Sequence, residues 1–566
     1  MNEVLSEVVY WSGFFLFNSL FFIPNYLLHY PDASLLPQKW KQARKLGTGI
    51  GMEENPDIFR ISIDLTVLML IARYSEFVPV GALVGYFGVI WLFNLYYLVF
   101  KKIYEFDPII LNDVRLLKNG AGLLWGEDKV KFLGNVLAFL ILCVFLIVSF
   151  RVYADFGVTL SPKLSTHVIS GGLLILILVM LVKHGYKPYH STHYRFLFVP
   201  MRLIQNVRDS FRINADSKNT NWSKLDQDRQ SDARLVKRPN VYLIFVESYG
   251  SILLKEPELK TAFAKEFSDF GGQLGEAGWH MRSQLSESVS LVGPSWLAYT
   301  SVLLGQRVDS NFKYERLLND ERYHKYDTVT KFLQKRGYLS YNLNASKPKK
   351  GVATPLDQMA NLYGVDQWIL KEHIDFKGTK YGFTEGPSDQ YVLNYGLEEV
   401  IRKQDEPFVL FYLTKNSHSP FISPDVVTSD WRDLNDGRDN LVGNHFLQKP
   451  VLSDYLNAIQ YQLRFLSDFI VKQGEQDDIF MLIGDHQPHH LSDINKHGLD
   501  TLVHVISKDQ QFINGFGQYG FVEGLSFSGK GVKHEALYSI LISELIKAYG
   551  AKGEETLQYE PDGIQV

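Results

Sequence analysis

The sequence predicts two unlike halves. The first is an N-terminal α-helical transmembrane bundle of about five spans. The second is a C-terminal α/β domain with a largely parallel central sheet covered by helices. Three observations carry this reading. Long apolar runs crowd the first third of the chain. From about residue 239, short β-rich runs alternate with longer helical stretches. And 566 residues are too many for one ordinary domain.

Val8 to Tyr30 carries no charge apart from His29, and Val80 to Phe100, Phe132 to Phe150 and Leu164 to Val182 lack Asp, Glu, Lys and Arg. Each approaches the ~20 residues that cross a bilayer. A fifth run, Ile61 to Val78, is interrupted by Asp64, Arg73 and Glu76, which are expected near its ends or facing the bundle. The start lacks a basic segment and its apolar stretch is long, so a cleavable signal peptide is not expected. Loop charge points the other way from what is concluded below about orientation. Lys39, Lys41, Arg44, Lys45 and Arg60, and then Lys101, Lys102, Arg115, Lys118, Lys129 and Lys131, fall on one side. The positive-inside rule puts that side, and the C-terminal domain with it, in the cytoplasm.

Residues 184–238 read as a connector after a transmembrane region of 1–183. "YRFLFVPMRLIQNVRDSFR" mixes apolar and basic residues, as a helix lying at a membrane surface does, and the polar stretch after it reads as a linker. In the domain at 239–550, "VYLIFV", "YLSYNL", "FVLFYL", "IFMLI" and "LVHVI" read as strands. "YDTVTKFLQKRG" and "LSDYLNAIQYQLRFLSDFIVKQ" read as helices, and 551–566 form a tail. Continuous apolar strands between helices imply a sheet covered on both faces. A net charge of −4 gives no indication of a nucleic-acid partner. The single cysteine, Cys143, lies in an apolar run, which excludes a disulfide framework and a thiolate metal site.

Sites in such sheets lie at the carboxyl ends of the strands. "NVYLIFVESYG" ends its apolar run in Glu247, "DIFMLIGDHQP" in Asp485 and His486, and "FVLFYLTKNSHSPF" leads to His418. "LVGPSWLAYTSVLLG" sets Ser295 behind a Gly-Pro turn at a helix start, either as an N-cap or as a nucleophile where an anion docks. Carboxylates, imidazole and hydroxyl oxygen together form a ligand set for one divalent ion. Its oxygen and nitrogen character favours Mn²⁺ or Zn²⁺ over Ca²⁺. Each residue also has a plain structural reading: a cap, a first loop residue, a turn histidine.

"VYLIFVESYG", "GPSWLAYTSVLLG", "LTKNSHSPF" and "IFMLIGDHQP" resemble the sequential motifs of the sulfatase-like branch of the alkaline phosphatase superfamily. The closest likeness is to the lipoteichoic acid synthase and phosphoglycerol transferase family. "TVTKFLQKRGYLSYNL" and "DQMANLYGVDQWI" resemble further segments of it. The resemblance implies an alkaline-phosphatase-like C-terminal domain, carried by five N-terminal spans and facing outward from the cell membrane. It implies Glu247, Asp485, His486 and Ser295 as ligands of one divalent metal, Mn²⁺ ahead of Zn²⁺ or Mg²⁺. Ser295 is then the nucleophile, and His418 contacts the phosphate or the leaving group.

The implied function is transfer of a phosphoglycerol-type group from a phospholipid donor to a glycan or other hydroxyl acceptor, through a covalent phospho-serine. A phosphoethanolamine transferase, a sulfatase or phosphodiester hydrolase, and a non-enzymatic membrane scaffold are the alternatives. After Ser295 the chain reads Trp-Leu-Ala-Tyr, without the proline and arginine of the sulfatases' modified-residue motif, which favours a plain serine nucleophile. The synthases' Trp-x-Arg pair before Asp357, Gln358 and Met359 is replaced by Thr354 and Leu356, which leaves the donor head group open. Lys347, Lys349 and Lys350 are candidate phosphate contacts or a solvated cluster. His489 and His490 are a candidate second metal site or surface residues, and His504 and His534 are further cleft candidates.

Overall fold

The computed structural model describes residues 3–29, 61–74, 78–104, 108–110, 129–160, 164–184, 196–197, 199–216, 232–345, 356–382, 385–443, 450–527 and 529–564. The chain forms two compact units, Met1–Asp113 with Leu123–Arg212, and Val114–Gly122 with Ile213–Val566.

The first unit is helical: α1 (Glu3–His29), α2 (Ile63–Tyr74), α3 (Val80–Tyr104), α4 (Lys129–Thr159), α5 (Leu164–His184) and α6 (Val199–Asp216). The apolar runs expected to span a membrane are helical where they are described, except that Ile61–Ser62 form a short strand ahead of α2 and Val78 lies in a bend. Two segments, Val80–Phe100 and Val136–Thr159, are long and apolar enough among the described residues to cross a bilayer. The α4 face bearing Leu140, Ile141, Val144, Phe145 and Val148 is exposed, an apolar surface too continuous for water. The opposite side packs on a ring cluster in which Phe87 and Phe150 stack at 3.9 Å.

Two of the charges that interrupt the weak run, Asp64 and Arg73, are absorbed locally, while Glu76 lies outside the described residues. Asp64 is buried; its Oδ2 accepts the Val199 N–H at 2.8 Å and so caps α6, while its Oδ1 accepts from the Tyr86 hydroxyl at 3.2 Å. Arg73 pairs with Glu7 and donates to the Leu160 carbonyl at 2.5 Å. Thr166 Oγ1 donates to the other oxygen of Glu7 at 2.7 Å. A charge among apolar helices persists only when it is paired in this way.

The second unit is built on an eight-stranded sheet: β1 (Val241–Val246), β2 (His280–Glu287), β3 (Leu339–Asn344), β4 (Gln367–Leu370), β5 (Phe408–Leu413), β6 (Ile479–Gly484), β7 (Asp500–Ser507) and β8 (Val532–Lys533). The spatial order is β8-β2-β7-β6-β1-β5-β3-β4. From β6 to β4 all neighbours are parallel, and β7 runs antiparallel to both β6 and β2. The largely parallel sheet expected from the sequence is therefore present, with one reversed strand.

β1 shows why the sheet must be covered twice. Val241, Leu243 and Phe245 enter one apolar cluster with α7 (Ser295–Leu304) and α8 (Leu537–Tyr549). Tyr242, Ile244 and Val246 enter another with two long helices, Pro257–Glu276 and Leu452–Gln473. Side chains alternate across a strand, so an unbroken apolar run has two buried faces. Phe245 is fully buried against Phe411 and Tyr299. Phe245→Ala should cost roughly 3–5 kcal/mol, seen as a lowered melting temperature of the domain's unfolding transition.

Candidate active site

Strand register creates the site. β6 and β1 are parallel neighbours, with Gly484 beside Val246. The residues that follow, Asp485 and Glu247, therefore leave the sheet together at its carboxyl edge, and both are buried. The backbone there is tightly turned. Ser248 has φ +59°, and its N–H donates to Asp485 Oδ1 at 2.8 Å. Its own carbonyl accepts the Tyr455 hydroxyl at 2.9 Å. A Cβ on Gly484 would stand 2.2 Å from the Tyr249 carbonyl oxygen, so only glycine lets these two turns approach.

His486 follows directly. Its Nδ1–H donates to the Gln487 carbonyl at 2.8 Å, which turns Nε2 toward the carboxylates, 3.3 Å from Asp485 Oδ2 and 3.5 Å from Glu247 Oε1. Ser295 is the first residue of α7, and the N-cap position belongs to Pro294. The serine side chain caps nothing. Its Oγ faces His486 Nε2 at 3.3 Å and Glu247 Oε2 at 3.5 Å. The hydroxyl thus lies among the acids and not on the first turn of α7.

A divalent cation fits this donor set. Asp485 Oδ1 is satisfied by the Ser248 and His486 N–H groups, but Oδ2 is buried without a hydrogen-bond partner. One ligand atom each from Glu247, Asp485 and His486 lies within 4.8 Å of the others, the only such group among the described residues. An unpartnered buried carboxylate oxygen facing an imidazole lone pair is costly unless a cation sits between them. Burial, and then the neighbouring Glu247 charge, push the Asp485 carboxyl up to about 6. Burial by itself would lower His486, but the Asp485 and Glu247 carboxylates outweigh it and raise the imidazole.

The loop after β5 is fastened to the same place. Glu247 N–H donates to Thr414 Oγ1 at 3.0 Å, and Ser417 Oγ donates to the Glu247 carbonyl at 2.7 Å. His418 ends this loop, its Nδ1–H donating to the Ser419 carbonyl at 2.7 Å. Burial, reinforced by the Lys415 and His486 charges, pushes His418 down to about 4, so the ring is neutral near neutral pH. Asp389, which sequence reasoning missed, organises the loop from below. It is fully buried and accepts from Lys415 N, Asn416 N, Tyr412 Oη and Gln462 Nε2.

The other candidates fall elsewhere. His504 is buried in the sheet, its ring nitrogens taken by Ser283 Oγ at 2.7 Å and Tyr249 Oη at 3.0 Å. His534 is held by Ser286 Oγ at 2.8 Å and the Gly484 carbonyl at 3.1 Å. The rings of His489 and His490 lie 3.8 Å apart and belong to no metal-capable group among the described residues. Lys347, Lys349, Lys350 and Thr354 lie outside the described residues. Leu356, Asp357, Gln358 and Met359 open a short helix, Leu356–Tyr363.

Strand-end carboxylates, an imidazole and a hydroxyl around one candidate cation site are a donor set with which a cation can activate a hydroxyl toward a charged ester. Residues 300–515 match the family model described as Sulfatase, a stretch that includes His418, Asp485 and His486 and begins after Ser295. Over that stretch the C-terminal domain is similar to the sulfatase family. No curated protein matches the chain in sequence. Among solved structures, the chain is similar to the lipoteichoic acid synthase LtaP from Listeria monocytogenes, at 14% identity over 61% of this chain and 81% of that one (TM-score 0.37). It is similar to the Streptococcus pyogenes phosphoglycerol transferase GacH in complex with sn-glycerol-1-phosphate, at 15% over 58% and 80% (TM-score 0.36). It is also similar to the C-terminal periplasmic domain of EcEptC from Escherichia coli, at 12% over 59% and 88% (TM-score 0.35). Likeness at this level does not decide a substrate.

The raised Asp485 value sets a pH dependence. A carboxyl whose folded value exceeds its unfolded one favours the folded metal-free protein at low pH, and that contribution is lost as pH climbs from about 4 through about 6. A cation needs the carboxylate, so metal affinity should rise with pH through about 6 and then level off. Chelation should accordingly lower the melting temperature markedly at about pH 8 and little at about pH 5, as differential scanning fluorimetry will show. Asp485→Asn should emerge from purification without stoichiometric metal by elemental analysis.

Proposed function

We propose that this protein is a membrane-anchored, metal-dependent transferase. It moves an alcohol-phosphate group of the phosphoglycerol type from a phospholipid to a glycan or other hydroxyl acceptor. The observation that carries the reading is the Ser295 hydroxyl, which stands free of any capping role beside Glu247, Asp485 and His486.

Glu247, Asp485, His486 and Ser295 would hold the cation, Mn²⁺ ahead of Zn²⁺ or Mg²⁺. When bound it supplies Lewis-acid charge that lowers the serine pKa and offsets charge on a phosphoryl oxygen. In the first half-reaction a bond forms between Ser295 Oγ and phosphorus, and the bond from phosphorus to the lipid glycerol oxygen breaks. The serine proton is lost to solvent and the departing diacylglycerol takes one up. In the second, an acceptor oxygen bonds to phosphorus, the Ser295 Oγ–P bond breaks, and the serine is reprotonated as the acceptor hydroxyl loses its proton. His418, neutral through burial and with Nδ1–H already engaged, is suited to accept a hydrogen bond or a proton from the incoming hydroxyl rather than to act as an acid.

The five apolar helices of the first unit are read as five spans, α6 as an interfacial helix at 184–238, and the catalytic domain as facing outward from the cell membrane. A lipid donor gives tethering its purpose, because anchoring raises the effective concentration of the site at the bilayer. Protease accessibility of the domain in intact cells tests the orientation against the basic-loop bias. Phosphoethanolamine as head group is the second reading, kept open by Thr354 and Leu356 where the synthases carry Trp-x-Arg. Analysis of lipid and glycan products from head-group-labelled membranes separates the two. Ser295→Ala should abolish covalent labelling of the protein by a head-group-labelled phospholipid while leaving its melting temperature within a few degrees of wild type. Labelling that persists in this variant rules the assignment out.

A further inference from the structure

One charged side chain on the loop after β5 has no ion pair or hydrogen bond of its own among the described residues. Lys415 lies two residues beyond the end of β5, in a loop whose backbone and neighbours are fully engaged. Its own N–H donates to both Asp389 oxygens at 2.8 and 2.9 Å. Thr414 and Ser417 are bound to Glu247, and Asn416 N–H donates to Asp389 at 2.8 Å. The loop uses only main-chain atoms at 415, so its shape does not depend on the lysine side chain.

The ammonium is a different matter. Among the described residues it forms no ion pair and no side-chain hydrogen bond. Yet the charges it feels are Glu247, Asp485 and Asp389, which places it in the field of the reaction centre. Burial lowers its pKa, and those three carboxylates pull it back up.

None of the three carboxylates needs it. Asp389 already receives four donors. Glu247 and Asp485 are ligands for a divalent cation in the reading above. What the reaction adds is a phosphodiester whose single negative charge is shared by two non-bridging oxygens. One can face the cation; the other requires a donor in a site where water is largely excluded. A lysine ammonium is a compact charge suited to that oxygen.

We propose that Lys415 binds the second non-bridging phosphoryl oxygen, both of the donor phosphodiester and of phospho-Ser295. This inference rests on the transferase reading, and it makes Lys415 a catalytic residue, the role the sequence had suggested for Lys347 and Lys349. It explains how a nucleophile flanked by two acids can receive an anion at all: a fixed cation from the protein supplements the metal.

The test uses the full-length protein in detergent, loaded with Mn²⁺, as wild type, Lys415→Met, Lys415→Arg and Ser295→Ala. The probe is inorganic phosphate, titrated by calorimetry. Lys415→Met should weaken phosphate binding about ten- to a hundredfold, the loss of one charge-assisted hydrogen bond. Mn²⁺ stoichiometry and melting temperature should stay at the wild-type level, and Lys415→Arg should recover most of the affinity. Transfer from a head-group-labelled phospholipid should fall in kcat in Lys415→Met, because the contact strengthens as charge builds on phosphorus. Wild-type phosphate affinity in Lys415→Met overturns the inference, as does an absence of phosphate binding in the wild type. Loss of bound Mn²⁺ or of thermal stability in Lys415→Met, unrelieved by arginine, also overturns it, since the lysine is then only a counter-charge. Persistent labelling of Ser295→Ala instead removes the transferase reading, whatever the phosphate titrations show.

Discussion

The site depends on a single register. Because β1 and β6 are adjacent and parallel, with Val246 beside Gly484, two carboxylates emerge side by side at a buried sheet edge. Like charges in that position repel each other and lose their hydration, and the rise of Asp485 to about 6 expresses both effects. The fold meets half of the cost with hydrogen bonds to Asp485 Oδ1 and leaves Oδ2 bare. The surrounding details follow from this. Gly484 has no room for a side chain, Ser248 takes a positive φ so that its N–H reaches the acid, and Tyr455 secures the carbonyl of that turn.

The helical unit treats its charges differently, and the contrast is informative. Asp64 is completed by the first N–H of α6 and by a tyrosine hydroxyl. Arg73 is completed by Glu7 and by carbonyls at the end of α4, and Glu7 in turn by Thr166. These charges pair with one another and with helix ends, and so hold the helices together. In the C-terminal domain, Asp485 Oδ2 is left without a partner beside the His486 imidazole and the Ser295 hydroxyl. Incompleteness of this kind is what a ligand site requires.

Continuous apolar strands were legible in the sequence, since β1, β5 and β6 each read as an unbroken hydrophobic run with a turn at its end. β2 was not. Its sequence, "HMRSQLSE", is largely polar, and it becomes a strand only because β7 and β8 pair with it. Nor does composition encode that β7 runs antiparallel. At the site, Glu247, Asp485 and His486 could be read because parallel sheets deliver function at strand ends, which fixes where to look. Asp389 could not, because nothing in "SDQYVLNY" announces that its acid will meet the loop after β5 from a distant part of the chain. Lys415 lay inside a quoted motif and was passed over. Its neighbours looked like the functional residues, and only tertiary contacts show that they are occupied while its own ammonium is not.

The placement of Ser295 reflects the same economy of contacts. A serine at a helix start ordinarily turns its oxygen back on the first turn as a cap, where it would be inert. Here Pro294 occupies that position with no side chain able to cap, and the Ser295 N–H is taken by the Gly293 carbonyl at 2.7 Å. Gly293, at φ +95°, supplies a turn that other residues adopt only with strain. Trp296 is anchored by its indole N–H to Asn311 at 2.7 Å, which fixes the first turn of α7 from the other side. The hydroxyl keeps a long contact to the Gly293 carbonyl at 3.4 Å and otherwise faces Glu247 and His486 at the start of α7. A negative charge on that oxygen, or on a phosphoryl group attached to it, then meets the positive end of α7 as well as the cation site. The Gly-Pro-Ser turn is thus the means by which the serine at this helix start is turned from a capping position toward the acids, as the proposed nucleophile requires.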